Sequence, residues 1–334
     1  MALVPKATER PTLKTIAELS GLAVPTVSRA LNNAPDIGAA TKARVRQIAN
    51  EIGYRPDRAG LRLRTGKTNV IALIVSTQHE VIYNTGRLIT SIAGATRDTP
   101  YHMIVTPYFP DQDPMDPVRY VTETRSADGL ILNKTQPEDP RIAHLMRIGF
   151  PFATHGRTHW AEQHPYFDFD NRAFGALCVR RLVERGRHSI TMVAPPPDEF
   201  YAIEMADGAR REAEMRGVAF HILTGATSYD DAGAIRHAIR KACRSDSAPD
   251  GIIAASADAT MAIATALEDD GMRIGQEVDL IAKETTGALH MFRKEILVVH
   301  EDVRKAGDFL CRAVMQAIDA PELPPMQHLE QPTD

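Results

Sequence analysis

Two groups of side chains in this 334-residue sequence have types and spacings that could do chemistry. Thr26, Ser28, Arg29 and Asn32 fall on one face of a helix-period stretch, TVSRALN, and all four can donate hydrogen bonds. An arginine fork matches the O6 and N7 acceptors of a guanine, while hydroxyls and amides suit phosphate oxygens. The second group is the run from His155 to Asn171, dense in His, Asp, Arg and aromatic residues. Carboxylates, amides and arginine pair with the hydroxyls of a polyol, and an aromatic face meets the C–H side of a sugar ring. Two other chemistries compete for that run. His155, His159 and His164 invite a metal, but Gly156 and Pro165 make the run a loop, and no HExxH or cysteine pattern accompanies it. Asp168 and Asp170 alternate on an extended chain and so could share one face as a hydrolytic carboxylate pair. Hydrolysis needs one raised pKa and a defined separation, which spacing does not supply, so hydrogen bonding to a ligand or packing is the preferred reading.

The first group needs a rigid frame. In LKTIAELSGLAVPTVSRALN, residues 13–32, Ala17 is small where two helices would touch, Gly21 can take a tight turn, and Val27 can seal the second helix. Ile16, Leu22, Val27 and Leu31 supply the inward face, leaving the polar set outside. The bland alternative is an ordinary amphipathic helix pair. A third helix is readable from Ala39 to Ile52 through Val45, Ile48, Ala49 and Ile52, with Gly53 as its stop. Pro56 can open a further short helix that Gly66 closes; alone it is too short to be stable, so it should fold only on a partner. Residues 1–68 carry 12 Lys and Arg against 5 Asp and Glu, a net +7, whereas the remainder carries 27 against 38, a net −11. The basic end suits phosphates and the acidic body does not.

The body changes texture at Val70. Short branched apolar runs, VIALIVS, MIVTPY, GLILN, PFATHG, SITMVAP, AFHILTG, DGIIAAS and VDLIAKE, alternate with helical stretches such as Leu88 to Ala95. That pattern indicates a doubly covered parallel sheet, with ligands at the carboxyl ends of its strands. Those ends offer the stretch from Ser76 to Glu80, including His79, then Thr106 to Tyr108, Asn133, and the run from His155 to Asn171 with Arg157 in it. No run of eighteen apolar residues and no signal-peptide core is present, which predicts a cytoplasmic protein. Cys178, Cys243 and Cys311 are far apart and lack a CxxC pair, so buried reduced thiols are expected. Met205 and Met215 read as core, and the polar, Pro-rich tail after Pro321 is too short for a zipper helix, leaving a dimer as the expected state.

Residues 12–75 resemble the lactose-repressor (LacI/GalR) family of transcription regulators. TIAELSGL, TVSRALN, VRQIANEIGYRPD and LRLRTGKTNVIALI occur in the family's order without gaps. The resemblance implies an all-α helix-turn-helix DNA-binding domain over 1–55 and a hinge helix and linker over 56–68. Residues 69–330 would form an α/β two-lobed, periplasmic-binding-protein-like (type I) domain for effector binding and dimerisation, its lobes exchanging chain more than once. It places Arg29 in the recognition helix and Val24 and Pro25 at the positions that set operator choice, where both are apolar and suited only to a thymine methyl. Ala23 replaces the usual serine cap. Lys14, Thr15, Thr26, Ser28 and Asn32 would hold phosphates. Leu63, or less well Leu61, would be the leucine that wedges into the minor groove, and Gly60 would loosen the unbound hinge.

In the body the resemblance places Asp170 with Asn171, Asp258 and Glu284 near the effector. One departure stands out: Met205 occupies the place where many members carry an arginine, three residues before a glycine. Tyr201, Glu204 or Arg157 would have to substitute. The implied protein is a repressor, not an enzyme. Its partners would be double-stranded operator DNA, a mono- or disaccharide with a lean to α-glucosides, and a second copy of itself. No cofactor, metal or membrane is implied. The rival reading is a soluble sugar-binding protein or carbohydrate-active enzyme with only nonspecific DNA attachment.

Overall fold

The computed structural model describes residues 11–54, 62, 66–77 and 81–333. The expected wedge positions Leu61 and Leu63, with Gly60, His79 and Glu80, lie outside the described residues. The chain divides into two compact units between Thr68 and Asn69.

The first unit holds α1 (Leu13–Ser20), α2 (Val24–Leu31) and α3 (Ala39–Glu51). Thr12 starts α1 with a reciprocal cap: its hydroxyl accepts from the Thr15 N–H at 3.3 Å, and the Thr15 hydroxyl accepts from the Thr12 N–H at 3.1 Å. Gly21, at φ +70°, ends the helix in a backbone conformation that a side chain would strain. At α2 the missing cap is real: Ala23 offers no side-chain bond, and Pro25 in the first turn supplies a preset φ instead. Ile16, Ala17, Val27, Ala30, Val45 and Ala49 are buried together as the core of the unit. Each fully buried branched side chain contributes about 1.5–3 kcal/mol.

The second unit is two lobes, each built on an all-parallel sheet. In lobe 1 the strands are β1 (Val70–Ser76), β2 (His102–Tyr108), β3 (Gly129–Asn133), β4 (Phe152–His155), β5 (Tyr166–Phe169) and β11 (Gln327–Glu330), in the order β11-β5-β4-β3-β1-β2. Lobe 2 holds β6 (Ser189–Val193), β7 (Ala219–Ile222), β8 (Gly251–Ala254), β9 (Asp279–Glu284) and β10 (Leu297–His300), in the order β10-β9-β8-β6-β7. From Ile71 to Ser76 every residue of β1 is buried, as a strand covered on both faces requires. The chain passes from lobe 1 to lobe 2 after β5, at Asp170, and returns after β10, at Glu301 and Asp302. The returning helix Val303–Asp319 packs Leu310, Cys311 and Val314 against Ile71 and Leu73 of the first lobe.

Four features depart from the sequence reading. The helix expected from Leu88 begins at Val81. The tail after Pro321, read only as polar and too short for a zipper helix, carries a strand, since β11 pairs with β5. Met215 is not core: it is 73% exposed at the end of the helix Phe200–Arg216. Cys178 and Cys311 are buried thiols, but Cys243 is only partly covered.

Two helices of lobe 2, Asn171–Glu184 and Phe200–Arg216, meet backbone to backbone. A Cβ added at Gly175 would lie 2.1 Å from the Met205 carbonyl oxygen, and one at Gly208 would lie 2.0 Å from that of Arg172. Both glycines are required by this approach, since no side chain fits between the chains.

Candidate functional site

On the recognition face, Val24, Pro25, Arg29 and Asn32 are exposed, and Thr26 and Ser28 are half-buried. Lys14 is exposed on α1, whereas Thr15 is engaged in the cap described above. Arg29 forms an ion pair with Asp36, in the turn that leads to α3. That partner was not visible in the helical spacing.

Between the two lobes lies a cavity of about 430 Å³. Lobe 1 contributes Thr85, Asn133, Lys134, His155 and Asp168; lobe 2 contributes Asn171, Tyr201, Tyr229, Asp258 and Lys283; Glu301 enters at the second crossover. The structure therefore brings Asn133, His155, Tyr201 and Asp258 together, as the strand-end reading and the family resemblance suggested. Of the other expected residues, those that are described lie elsewhere. Met205 is fully buried in the apolar core of lobe 2. Asp170 caps the helix Asn171–Glu184, accepting from the Ala173 N–H and from Gln331. Glu284 is buried, accepting the Leu289 N–H at 2.7 Å at the start of the short helix Ala288–Phe292. Arg157 turns to Asp168 at 2.8 Å and reaches across to Glu204 at 3.3 Å. Asp168 and Asp170 consequently do not form a carboxylate pair on the cavity wall.

The histidines also separate. His155 faces the cavity. His159 sets its ring edge against Phe200, and fully buried His164 bonds to Thr158 at 2.9 Å. Among the described residues no group of three His, Cys, Asp or Glu is arranged to hold a metal ion.

Sequence reasoning missed the two lysines. Lys134 follows β3 with φ +53°, crosses to lobe 2, approaches the Glu199 carboxylate at 3.3 Å, and sits 4.0 Å above the Tyr229 ring. Tyr229 in turn donates to Glu199 at 3.1 Å and bonds the Tyr201 hydroxyl at 2.7 Å. Lys283 at the end of β9 meets Glu301 at 2.6 Å and Asn171 at 2.9 Å, over the Phe169 ring at 4.6 Å. Applying the strand-end rule to LVVH would have reached Glu301, and a lysine inside the apolar run DLIAKE was itself a signal.

Burial sets the charges. It raises the Asp168 carboxyl to about 6 against the pull of Arg157. Burial also raises Glu199, outweighing Lys134. Glu301 is equally desolvated, yet Lys283 and His155 bring it below its ordinary value. Burial lowers His155 against the pull of Glu301. The cavity also holds two oxygens without a hydrogen-bond partner among the described residues, Thr85 Oγ1 and Asn133 Oδ1, both on buried residues. Such buried groups are costly unless something satisfies them. The arrangement offers buried donors and acceptors from both lobes beside aromatic faces, the chemistry that binds a polyhydroxylated molecule.

Comparison with known proteins agrees with this architecture. The family model described as "Bacterial regulatory proteins, lacI family" matches residues 12–57, and that described as "Periplasmic binding protein-like domain" matches residues 179–334. The chain is 35% identical to the HTH-type transcriptional regulator RafR of Escherichia coli over 198 residues, which cover 59% of each protein. It is 28% identical to the HTH-type transcriptional regulator AglR of Rhizobium meliloti (strain 1021), over 92% of this chain and 87% of that one. Among solved structures, the lac repressor dimer bound to operator and the anti-inducer ONPF superposes with a TM-score of 0.83 at 17% identity, covering 97% of each chain. The transcriptional regulator CelR–cellobiose complex gives 0.69 at 22% identity, covering 97% of this chain and 98% of that one. Among the described residues no helix is long and apolar enough to cross a membrane. A helix-turn-helix unit that matches the lacI family of bacterial regulatory proteins is thus joined to two parallel-sheet lobes around a polar cavity, with a periplasmic binding protein-like match over residues 179–334.

Proposed function

We propose that this chain is a cytoplasmic repressor that binds operator DNA as a homodimer and is released by a sugar bound between its lobes. The observation that carries the reading is the position of the cavity: its walls come from both lobes and from the crossovers that join them. A ligand there touches both lobes at once and so favours one angle between them. In two paired copies that angle would order or melt the hinge segments, with Leu63 as the wedge at the operator centre. Arg29 would read a guanine in each half-site, Val24 and Pro25 would pack on thymine methyls, and Lys14, Thr26, Ser28 and Asn32 would hold phosphates.

A sugar is supported by the chemistry of the wall and by the relatives. One structural relative carries cellobiose, and the lac repressor structure is a dimer on its operator. The arginine missing at Met205 leaves Tyr201 and the two lysines as the groups best placed to meet sugar hydroxyls.

The test has two steps. Thermal unfolding of the full chain against a panel of mono- and disaccharides identifies the ligand, since a hundredfold excess over Kd stabilises by about 2.7 kcal/mol. Titration of selected DNA with and without that sugar then measures the coupling, which must be reciprocal. Sequence-indifferent, salt-dependent DNA binding unaffected by any sugar would favour the rival, a sugar-binding protein with nonspecific attachment.

A further inference from the structure

We infer that Asp36 is a positioning residue for base reading: its ion pair with Arg29 aims the guanidinium at one guanine and withholds it from phosphates. The inference rests on the reading of α2 as a recognition helix.

Arg29 lies in the last turn of α2 and Asp36 in the turn that follows, and the two form an ion pair although both are substantially exposed. The turn holds Asp36 in place. Ala34 donates its N–H to the Arg29 carbonyl at 3.0 Å, Ile37 donates to Ala34 at 3.2 Å, and Ile37 packs against the core of the unit. The carboxylate is therefore presented by folded backbone rather than by a free loop.

An acidic group on a phosphate-facing surface opposes DNA binding, in a stretch otherwise rich in cations. A group that weakens attachment to every duplex while orienting one base contact exchanges affinity for discrimination. The guanidinium has five N–H donors in a fixed fork. A carboxylate can hold one edge while another edge meets O6 and N7 of guanine, and the tether removes rotamers that would otherwise reach the backbone. Discrimination falls heavily on this residue because Val24 and Pro25, near the start of the same helix, have no side-chain hydrogen-bonding groups.

The experiment uses the full chain. A preferred site is selected from a random duplex library, and Kd is measured for that site and for an unrelated duplex of equal length, at two salt concentrations. Asp36→Asn should tighten binding to the unrelated duplex, lower the ratio of specific to nonspecific affinity by about tenfold, and relax the base preference at one position per half-site. Asp36→Glu should restore the ratio, and in an Arg29→Ala background the Asp36 substitution should leave the ratio and the base preference unchanged. Unchanged base preference, with both affinities rising by one factor, would reduce Asp36 to a bulk charge and overturn the inference. A wild-type chain that selects no site overturns the recognition reading itself, and is told apart because its own ratio is then one. A matching melting temperature for Asp36→Asn and wild type assigns the change to recognition and not to folding.

Discussion

The ammonium of Lys134 lies 3.3 Å from the carboxylate of Glu199, and the two residues belong to different lobes. Beside them Phe200 donates its N–H to the Thr135 carbonyl at 2.9 Å, and Gln136 bonds Asp198 at 3.1 Å. The lobes are thus joined by contacts as well as by the two crossovers.

Lys134→Met leaves Glu199 buried without its cation, and removing one partner of such a pair costs about 3–5 kcal/mol. Burial already raises the Glu199 pKa, so the variant should recover part of the loss by taking up a proton. Thermal unfolding should show a lower melting temperature at pH 8 than at pH 5, relative to wild type. The double variant with Glu199→Gln should be milder than the sum of the singles. Additive losses would mean that the bridge contributes nothing.

Asp168 titrates near 6 in the folded chain, above its ordinary value. The folded state therefore keeps this proton to higher pH than the unfolded one. The stability it contributes is greatest below pH 4 and is lost as pH rises towards 6, by about 3 kcal/mol in total. A sugar hydroxyl donating to the ionised carboxylate reverses that preference on binding. Affinity for the sugar should therefore rise through pH 5 to 6 and level above it. Calorimetric titration across pH 5–8 checks this, and the inflection should vanish in Asp168→Asn.

Met205→Arg restores the residue type that the family resemblance leads one to expect. Because Met205 is fully buried among apolar side chains, the substitution should destabilise by several kcal/mol and not improve sugar binding. A folded Met205→Arg chain with tighter binding would show that the helix Phe200–Arg216 can turn that position towards the cavity.

Gly208→Ala puts a methyl where the Arg172 carbonyl oxygen stands. The two helices must separate, which typically costs about 1–3 kcal/mol. Chemical denaturation should show it, and the effect should be larger than for Gly38→Ala, where a Cβ meets nothing within 4 Å.

The interior strands and the helix-turn-helix were legible because each carries a period or an apolar run. VIALIVS and GLILN are central strands and read as such. YFDF, LVVH and QHLE were not found as strands: QHLE lies at a sheet edge, where solvent permits polar residues and the run is lost, whereas LVVH, at an edge of the other lobe's sheet, is a short apolar run that the reading passed over. In the cavity, Asn133 was found because it ends an apolar strand. Lys134 and Tyr229 were not, since a lysine is ordinarily a surface residue and nothing local says that it crosses to another lobe. The Met205 departure and its place in the core were both read from the letters, whereas the close glycine contact of the two helices beside it was not.

Strand β11 completes the sheet of lobe 1 only after all of lobe 2 has been made. On the ribosome, residues 171–300 can therefore fold as a continuous piece while lobe 1 still lacks its returning helix and last strand. The helix-turn-helix unit is finished earlier still. A growing chain thus acquires the capacity to touch DNA first and its control last, so a chain truncated before Gln327 should be an unregulated binder.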